Sequence, residues 1–131
     1  MCIFCEIVKK NIPSSVVYED DDHLAILDLS QTTKGHTLVM PKKHYSNFLE
    51  MPKEEFEKLC RTAQDVAQLL KDRLHAEGMN VLINTNEVAG QTVMHTHIHL
   101  IPRYSEEDTV EFSFHENKFD LNEVLKEIKG C

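Results

Sequence analysis

Apolar residues recur along this chain with two different periods. From Lys53 to Ala76, Phe56, Leu59, Cys60, Ala63, Val66, Ala67, Leu70 and Leu74 fall at three- and four-residue steps. That is the period of one helix face. The spacing predicts one long amphipathic helix, with Pro52 near its first turn, Gly78 as its C-terminal cap and Cys60 as a small core residue. Elsewhere the period is closer to two. Val16–Glu19, His23–Leu29, Gly35–Met40 and Met79–Asn84 read as short strands, and Gln91–Pro102 as a longer one. Ile3, Phe4, Ile7 and Val8 mark a short helix over Cys2–Lys10. Leu121, Val124, Leu125 and Ile128 mark a C-terminal helix over Phe119–Lys129. Asp20-Asp21-Asp22 reads as a solvated turn. Strands, a long helix and strands again indicate an α+β fold with antiparallel pairing.

Length and composition narrow the picture. At 131 residues the chain is expected to be one domain, residues 1–131, large enough for a proper core. No apolar run approaches a membrane span. The formal net charge of −8 argues against a nucleic-acid backbone as partner and leaves room for a small anionic ligand. The N-terminus lacks the basic and apolar regions of a secretory leader, so a cytoplasmic chain with reduced thiols is expected. Cys131 receives no role.

Within the last predicted strand, His95, His97 and His99 occupy every second position. Strand alternation puts all three on one face, with Thr96, Ile98 and Leu100 on the other. An inert face does not need three imidazoles. A single metal held by all three would have to bridge an outer pair about 13 Å apart. The remaining alternative is an anion site in which imidazole serves as nucleophile, donor and proton carrier. Gln91, Thr92 and nearby backbone N–H groups are candidate donors to phosphate oxygens. Asp28 ends an apolar strand and is either a ligand contact or a turn cap.

Cys2 and Cys5 have the spacing of half a zinc site. His44 and His95 complete a Cys2His2 set, which would be closed and structural and would leave His97 and His99 free. The alternative is a pair of packed thiols.

These blocks together resemble the histidine triad (HIT) family. His95-Thr96-His97-Ile98-His99-Leu100-Ile101 is similar to its His-x-His-x-His signature, with Thr96 a mild departure. Cys2-Ile3-Phe4-Cys5-Glu6-Ile7, Asp28, Gly35 to His44 and Gly90-Gln91-Thr92-Val93 resemble family blocks in the same order, over residues 2–104. The cysteine block and Pro41-Lys42-Lys43-His44 point to the Hint-like branch in its bacterial form. The resemblance implies a five-stranded antiparallel sheet with one long helix, dimerising into a ten-stranded sheet. It implies hydrolysis or transfer of nucleoside monophosphates, of the purine phosphoramidate type. Dinucleoside polyphosphate hydrolysis, or nucleotide binding with little turnover, are the alternatives. On this resemblance His97 is the nucleophile and its tautomer is held by the His95 carbonyl. His99 contacts phosphate and His36 supports the triad. Asp28 would bind ribose, and Asn84, Gln91 and Thr92 would lie near the phosphate. Phe4, Ile7, Ile26 and Leu29 would wall the base. Cys2, Cys5, His44 and His95 are implied as structural zinc ligands. Residues 105–131, a loop and a helix, fall outside the matching blocks.

Overall fold

The computed structural model describes residues 1–130; Cys131 lies outside the described residues. Five strands carry the fold: β1 (Val16–Glu19), β2 (His23–Leu27), β3 (Thr37–Pro41), β4 (Gly78–Ile83) and β5 (Ile98–Arg103). They form one antiparallel sheet in the order β1-β2-β3-β5-β4. Three helices accompany them: α1 (Ile3–Val8), α2 (Lys53–Leu74) and α3 (Leu121–Lys129).

Strand alternation divides the apolar residues between two layers. Ala25 of β2, Val39 of β3 and Ile98 and Leu100 of β5 meet Leu59, Ala63, Val66 and Leu70 of α2. Leu24, Ile26, Leu38 and Met40 point the other way and meet Phe4 and Ile7 of α1. Thus α1 is fastened to the opposite face of the same β2–β3 pair that α2 covers. This fixes the N-terminal cysteines relative to the end of β3.

Several element boundaries differ from expectation. The α2 cap is not Gly78. His75 takes the left-handed conformation, φ 58°, because the chain turns at once into β4, where Gly78 is already paired with Arg103. Cys60 is exposed rather than in the core; it sits one position beyond Leu59, on the flank of the stripe. The predicted strand over Gln91–Pro102 shortens to Ile98–Arg103. Residues 91–97 form a loop, so of the three histidines only His99 belongs to the ladder.

Gly35 precedes β3 with φ +91°, and an added Cβ would meet Leu74 Cδ1, which would have to move aside. The left-handed backbone is what favours glycine there. Asp108 and Thr109 still bond to Arg103 and to the Thr32 carbonyl, and after Val110 the chain leaves the body. Every residue from Glu111 to Gly130 is exposed, including the apolar face of α3, where Leu121 is 80% and Ile128 76% exposed. No helix among the described residues is long and apolar enough to cross a membrane.

Candidate active site and metal centre

The loop before β5 is held from inside. Gln91 is buried, and its amide N–H groups donate to the carbonyls of Ser46 (2.6 Å) and Val93 (2.9 Å). Its side-chain oxygen accepts from Asn86 N–H at 2.7 Å. The Tyr45 carbonyl accepts from both the backbone N–H and the hydroxyl of Thr96. The loop is therefore bonded to the segment after β3, which makes its histidines a fixed array. This differs from the sequence expectation for Gln91, whose amide hydrogens are engaged by the protein's own carbonyls and not left for a ligand.

His97 is buried, and its Nδ1 lies 2.7 Å from the His95 carbonyl oxygen. A carbonyl only accepts, so Nδ1 carries the proton and Nε2 holds a lone pair. Burial lowers the His97 pKa, against the opposing pull of the His95 carbonyl and Asp28. The ring is thus a neutral base near pH 7. Phe4 meets it edge-on at 5.0 Å between ring centroids, and the His99 ring is also 5.0 Å away. That is closer than the roughly 6.5 Å of a straight strand, because His97 lies before the ladder begins. His99 is driven lower, to about 4, first by burial and then by His97 and His36. Its Nδ1 lies 2.9 Å from His36 Nε2. Asp28 Oδ2 stands 3.6 Å from the same His36 nitrogen, while Oδ1 caps the turn through Ser30 N–H at 2.8 Å. The turn cap expected for Asp28 is thus present, while its second oxygen stands beside His36.

His95 faces away from this pair. Its Nε2–H donates to the Pro41 carbonyl at 2.7 Å, leaving Nδ1 bare. That nitrogen lies 3.4 Å from Cys2 Sγ, 3.6 Å from Cys5 Sγ and 3.3 Å from His44 Nδ1; His44 Nδ1 is 3.4 Å from Cys5 Sγ. Zinc bonds of about 2.05 Å to nitrogen and 2.3 Å to sulfur set tetrahedral edges of roughly 3.35 Å (N–N) and 3.55 Å (S–N). The observed edges match them. At 3.3 Å the His44 and His95 nitrogens either share one proton as donor and acceptor or face a common cation. The Pro41 carbonyl stands where an outer partner orients the imidazole in metal sites. Burial and then Cys2 push the Cys5 thiol up, a direction a divalent cation reverses by stabilising thiolate.

The other expected site residues are more scattered. Phe4, Ile7 and Ile26 gather in the layer under α1 with Val93 against them. Leu29 stands apart, fully exposed. Asn84 Nδ2 reaches the Gly90 carbonyl only at 3.4 Å and braces that turn. Thr92 is exposed and lines a groove with Cys2, His44 and Met94. Tyr45 and Pro41 contribute backbone carbonyls, and Thr32 a backbone N–H toward His36 Nδ1, none of which carries a side-chain signature in the sequence.

A profile of the HIT domain matches residues 9–106. The chain belongs to the HIT family. It is 49% identical over 131 residues to an uncharacterised HIT-like protein of Methanocaldococcus jannaschii, covering 99% of this chain and 100% of that one. A crystal structure of SMU.412c from Streptococcus mutans superposes with a TM-score of 0.91 at 44% identity, over 98% of this chain and 83% of that one. A zinc-bound histidine triad protein of Mycobacterium smegmatis superposes with a TM-score of 0.79 at 34% identity, over 98% and 96%. An adenylylsulfatase of Arabidopsis thaliana is 36% identical over 102 residues, 78% of this chain and 52% of that protein. The HIT fold expected from the sequence is thereby established, as is membership of a family of nucleotide-binding hydrolases and transferases.

Proposed function

We propose that this chain hydrolyses or transfers nucleoside 5′-monophosphate groups, purine nucleoside phosphoramidates foremost, through a nucleotidylated His97. The observation that carries this is the state of one ring: His97 is buried, neutral, protonated at Nδ1 by contact with the His95 carbonyl, and bare at Nε2. A nucleophile needs that tautomer and that charge. Nε2 attacks the α-phosphorus, the Nε2–P bond forms, and the bond to the leaving group breaks with its electron pair departing on that group, which takes up a proton from solvent. Water then attacks phosphorus and gives up one proton to solvent, the Nε2–P bond breaks with its electron pair returning to Nε2, and neutral His97 returns. Through both steps Nδ1–H stays on the His95 carbonyl, which stabilises the positive charge the ring acquires. His99 contacts the phosphate, and Asp28 binds the ribose. The Arabidopsis adenylylsulfatase supports this reading, since its named substrate also carries an adenylyl group on a leaving group. Turnover of adenosine phosphoramidate against diadenosine polyphosphate, in wild type and His97→Ala, tests the proposal. Full activity in the variant would remove it.

Cys2, Cys5, His44 and His95 would hold a structural zinc. The donor set and its edges support this, as does the zinc-bound relative. The metal would cross-link α1 to the end of β3 and to the histidine loop, and so steady the carbonyl that holds His97. A homodimer completes the proposal. β4 is an edge strand with Val81 64% exposed. Beside it an apolar groove of about 490 Å³ is lined by Cys60, Ala63, Ala67, Met79 and Val81. Pairing β4 with β4 of a second copy would cover both.

A further inference from the structure

We propose that Cys2 and Cys5 form a reversible oxidation site: a hydroperoxide closes them to an intramolecular disulfide, and the metal cluster loses its two sulfur donors. The inference rests on the reading of Cys2, Cys5, His44 and His95 as one metal cluster. The two cysteines span the first turn of α1. Cys2 is its N-cap in extended conformation, φ −97° and ψ 119°, and Cys5 N–H donates to Cys2 Sγ at 3.4 Å. That bond folds the Cys2 side chain back over the turn toward Cys5. Both Sγ atoms belong to the four-donor group whose atoms lie within 4.8 Å of one another. Residues three apart on a helical turn have Cα atoms about 5–6 Å apart, inside the range a disulfide tolerates, so side-chain rotation alone can close the bond. Cys60 is more exposed, but it lies on α2 beside β4, across the sheet from α1, and reaches neither.

Neither sulfur is sealed in. Both cysteines are half-buried, and Cys2 lines an open groove of about 520 Å³ with Met1, Ile3, His44 and Thr92. A peroxide reaches the pair from there. One thiolate sulfur attacks a peroxide oxygen, the O–O bond breaks, and the departing hydroxide takes a proton from solvent as water, leaving a sulfenic acid. The other thiolate attacks that sulfur, the S–S bond forms, the S–O bond breaks, and the second hydroxide leaves as water with another solvent proton. The two sulfurs together lose two electrons and the peroxide gains them. In a tetrahedral zinc site two thiolates stand roughly 3.8 Å apart, whereas bonded sulfurs stand about 2.05 Å apart and have lost their charge. The product therefore cannot serve as a ligand pair, and only His44 and His95 remain. His95 is completely buried, and its carbonyl holds His97. Phe4, between the two cysteines in the chain, meets both His95 and His97 edge-on. A rearranged first turn of α1 thus reaches His97 twice, through the loop backbone and through Phe4.

The test treats the zinc-loaded full chain with hydrogen peroxide and reads the mass of the N-terminal peptide together with zinc released to a coloured chelator. That peptide should become lighter by two hydrogens as one zinc per protomer is released, and a dithiol reductant with added zinc should reverse both changes. A Cys60→Ser, Cys131→Ser double variant should give the same two readings, and Cys2→Ser should give no such product. On adenosine phosphoramidate, kcat should fall about 10²-fold on oxidation, the effect of moving a reacting group by about 1 Å, and return on reduction. Cys2 and Cys5 that stay thiols while Met1 or Met94 gains oxygen would overturn the inference. So would a sulfinic acid that no dithiol reverses, or a closed disulfide that keeps its zinc. If the disulfide closes on a chain purified without zinc, the oxidation site stands and the metal reading fails. If wild type turns over no nucleotide, the proposed reaction fails while peptide mass and zinc still decide the oxidation site.

Discussion

If Cys2, Cys5, His44 and His95 hold the proposed zinc, its removal should lower the melting temperature by about 15 °C. The magnitude follows from linkage. A ligand present at about 1,000 times its dissociation constant, and bound only by the folded state, stabilises it by about 4.1 kcal/mol. At about 2.1 cal/mol/K per residue, a chain of 131 residues has an unfolding entropy of about 0.28 kcal/mol/K. The quotient is about 15 °C. The folded chain brings all four donor atoms within 4.8 Å of one another, whereas unfolding separates Cys5 from His44 by 39 positions and from His95 by 90. That is why binding should discriminate so strongly between the two states. The assay is calorimetry before and after dialysis against a chelator, with metal content measured on the same samples and Cys5→Ala as control. Because the His95 carbonyl holds the proposed nucleophile His97, kcat should fall with the melting temperature. Loss of zinc with no change in melting temperature would refute the reasoning, as would a freshly purified protein with only trace zinc.

Other expectations follow from the same geometry. His99 falls to about 4 and His97 is also lowered, both first by burial. A histidine with a folded pKa below its unfolded value of about 6.5 leaves the fold fully stable above that value. It destabilises the fold progressively as pH drops toward the folded pKa, since the unfolded chain binds more protons in that window. Stability should therefore decline from about pH 6.5 to about pH 4, while kcat/KM shows no acid limb at 6.5; a limb there would contradict a buried neutral nucleophile. Leu59 is completely buried, so Leu59→Ala should cost about 3 kcal/mol in denaturant melts and leave kcat near wild type below the melting range. Gly35→Ala should cost about 2 kcal/mol through its left-handed φ and its clash with Leu74; a neutral result would mean that the loop carrying His36 relaxes freely. Removing residues 111–131 should leave the protomer core intact, since residues 111–130 bury nothing there. A drop from dimer to monomer in sedimentation would place the arm in the dimer contact.

The sequence was most informative where side chains act together and least where backbone atoms act. The alternation in β2 and β3 and the long stripe of α2 were legible because burial on one face imposes a period. Cys60 was misjudged because a residue beside the stripe shares its spacing but not its burial. The strand expected over Gln91–Pro102 shortened because Gln91 and Thr96 bond to the carbonyls of Ser46, Val93 and Tyr45, and no pattern marks a carbonyl partner. The His97–His95 and His95–Pro41 contacts that fix each ring also end on backbone oxygens. The amphipathic face of α3 was plain from Leu121, Val124, Leu125 and Ile128, yet the pattern says only that a face is apolar, not what covers it. Leu29, expected at the base wall, is apolar but follows β2 on the solvent side of the turn.

The central claim is that His97 carries the nucleotidyl group. Rapid quenching of wild-type protein with adenosine phosphoramidate, followed by mass spectrometry of the peptide spanning residues 91–103, measures it directly. The account predicts an adenylyl adduct on His97 Nε2 that disappears as substrate is consumed and never forms in His97→Ala. An adduct on His95, His99 or another residue, or turnover that persists undiminished in His97→Ala, would contradict it.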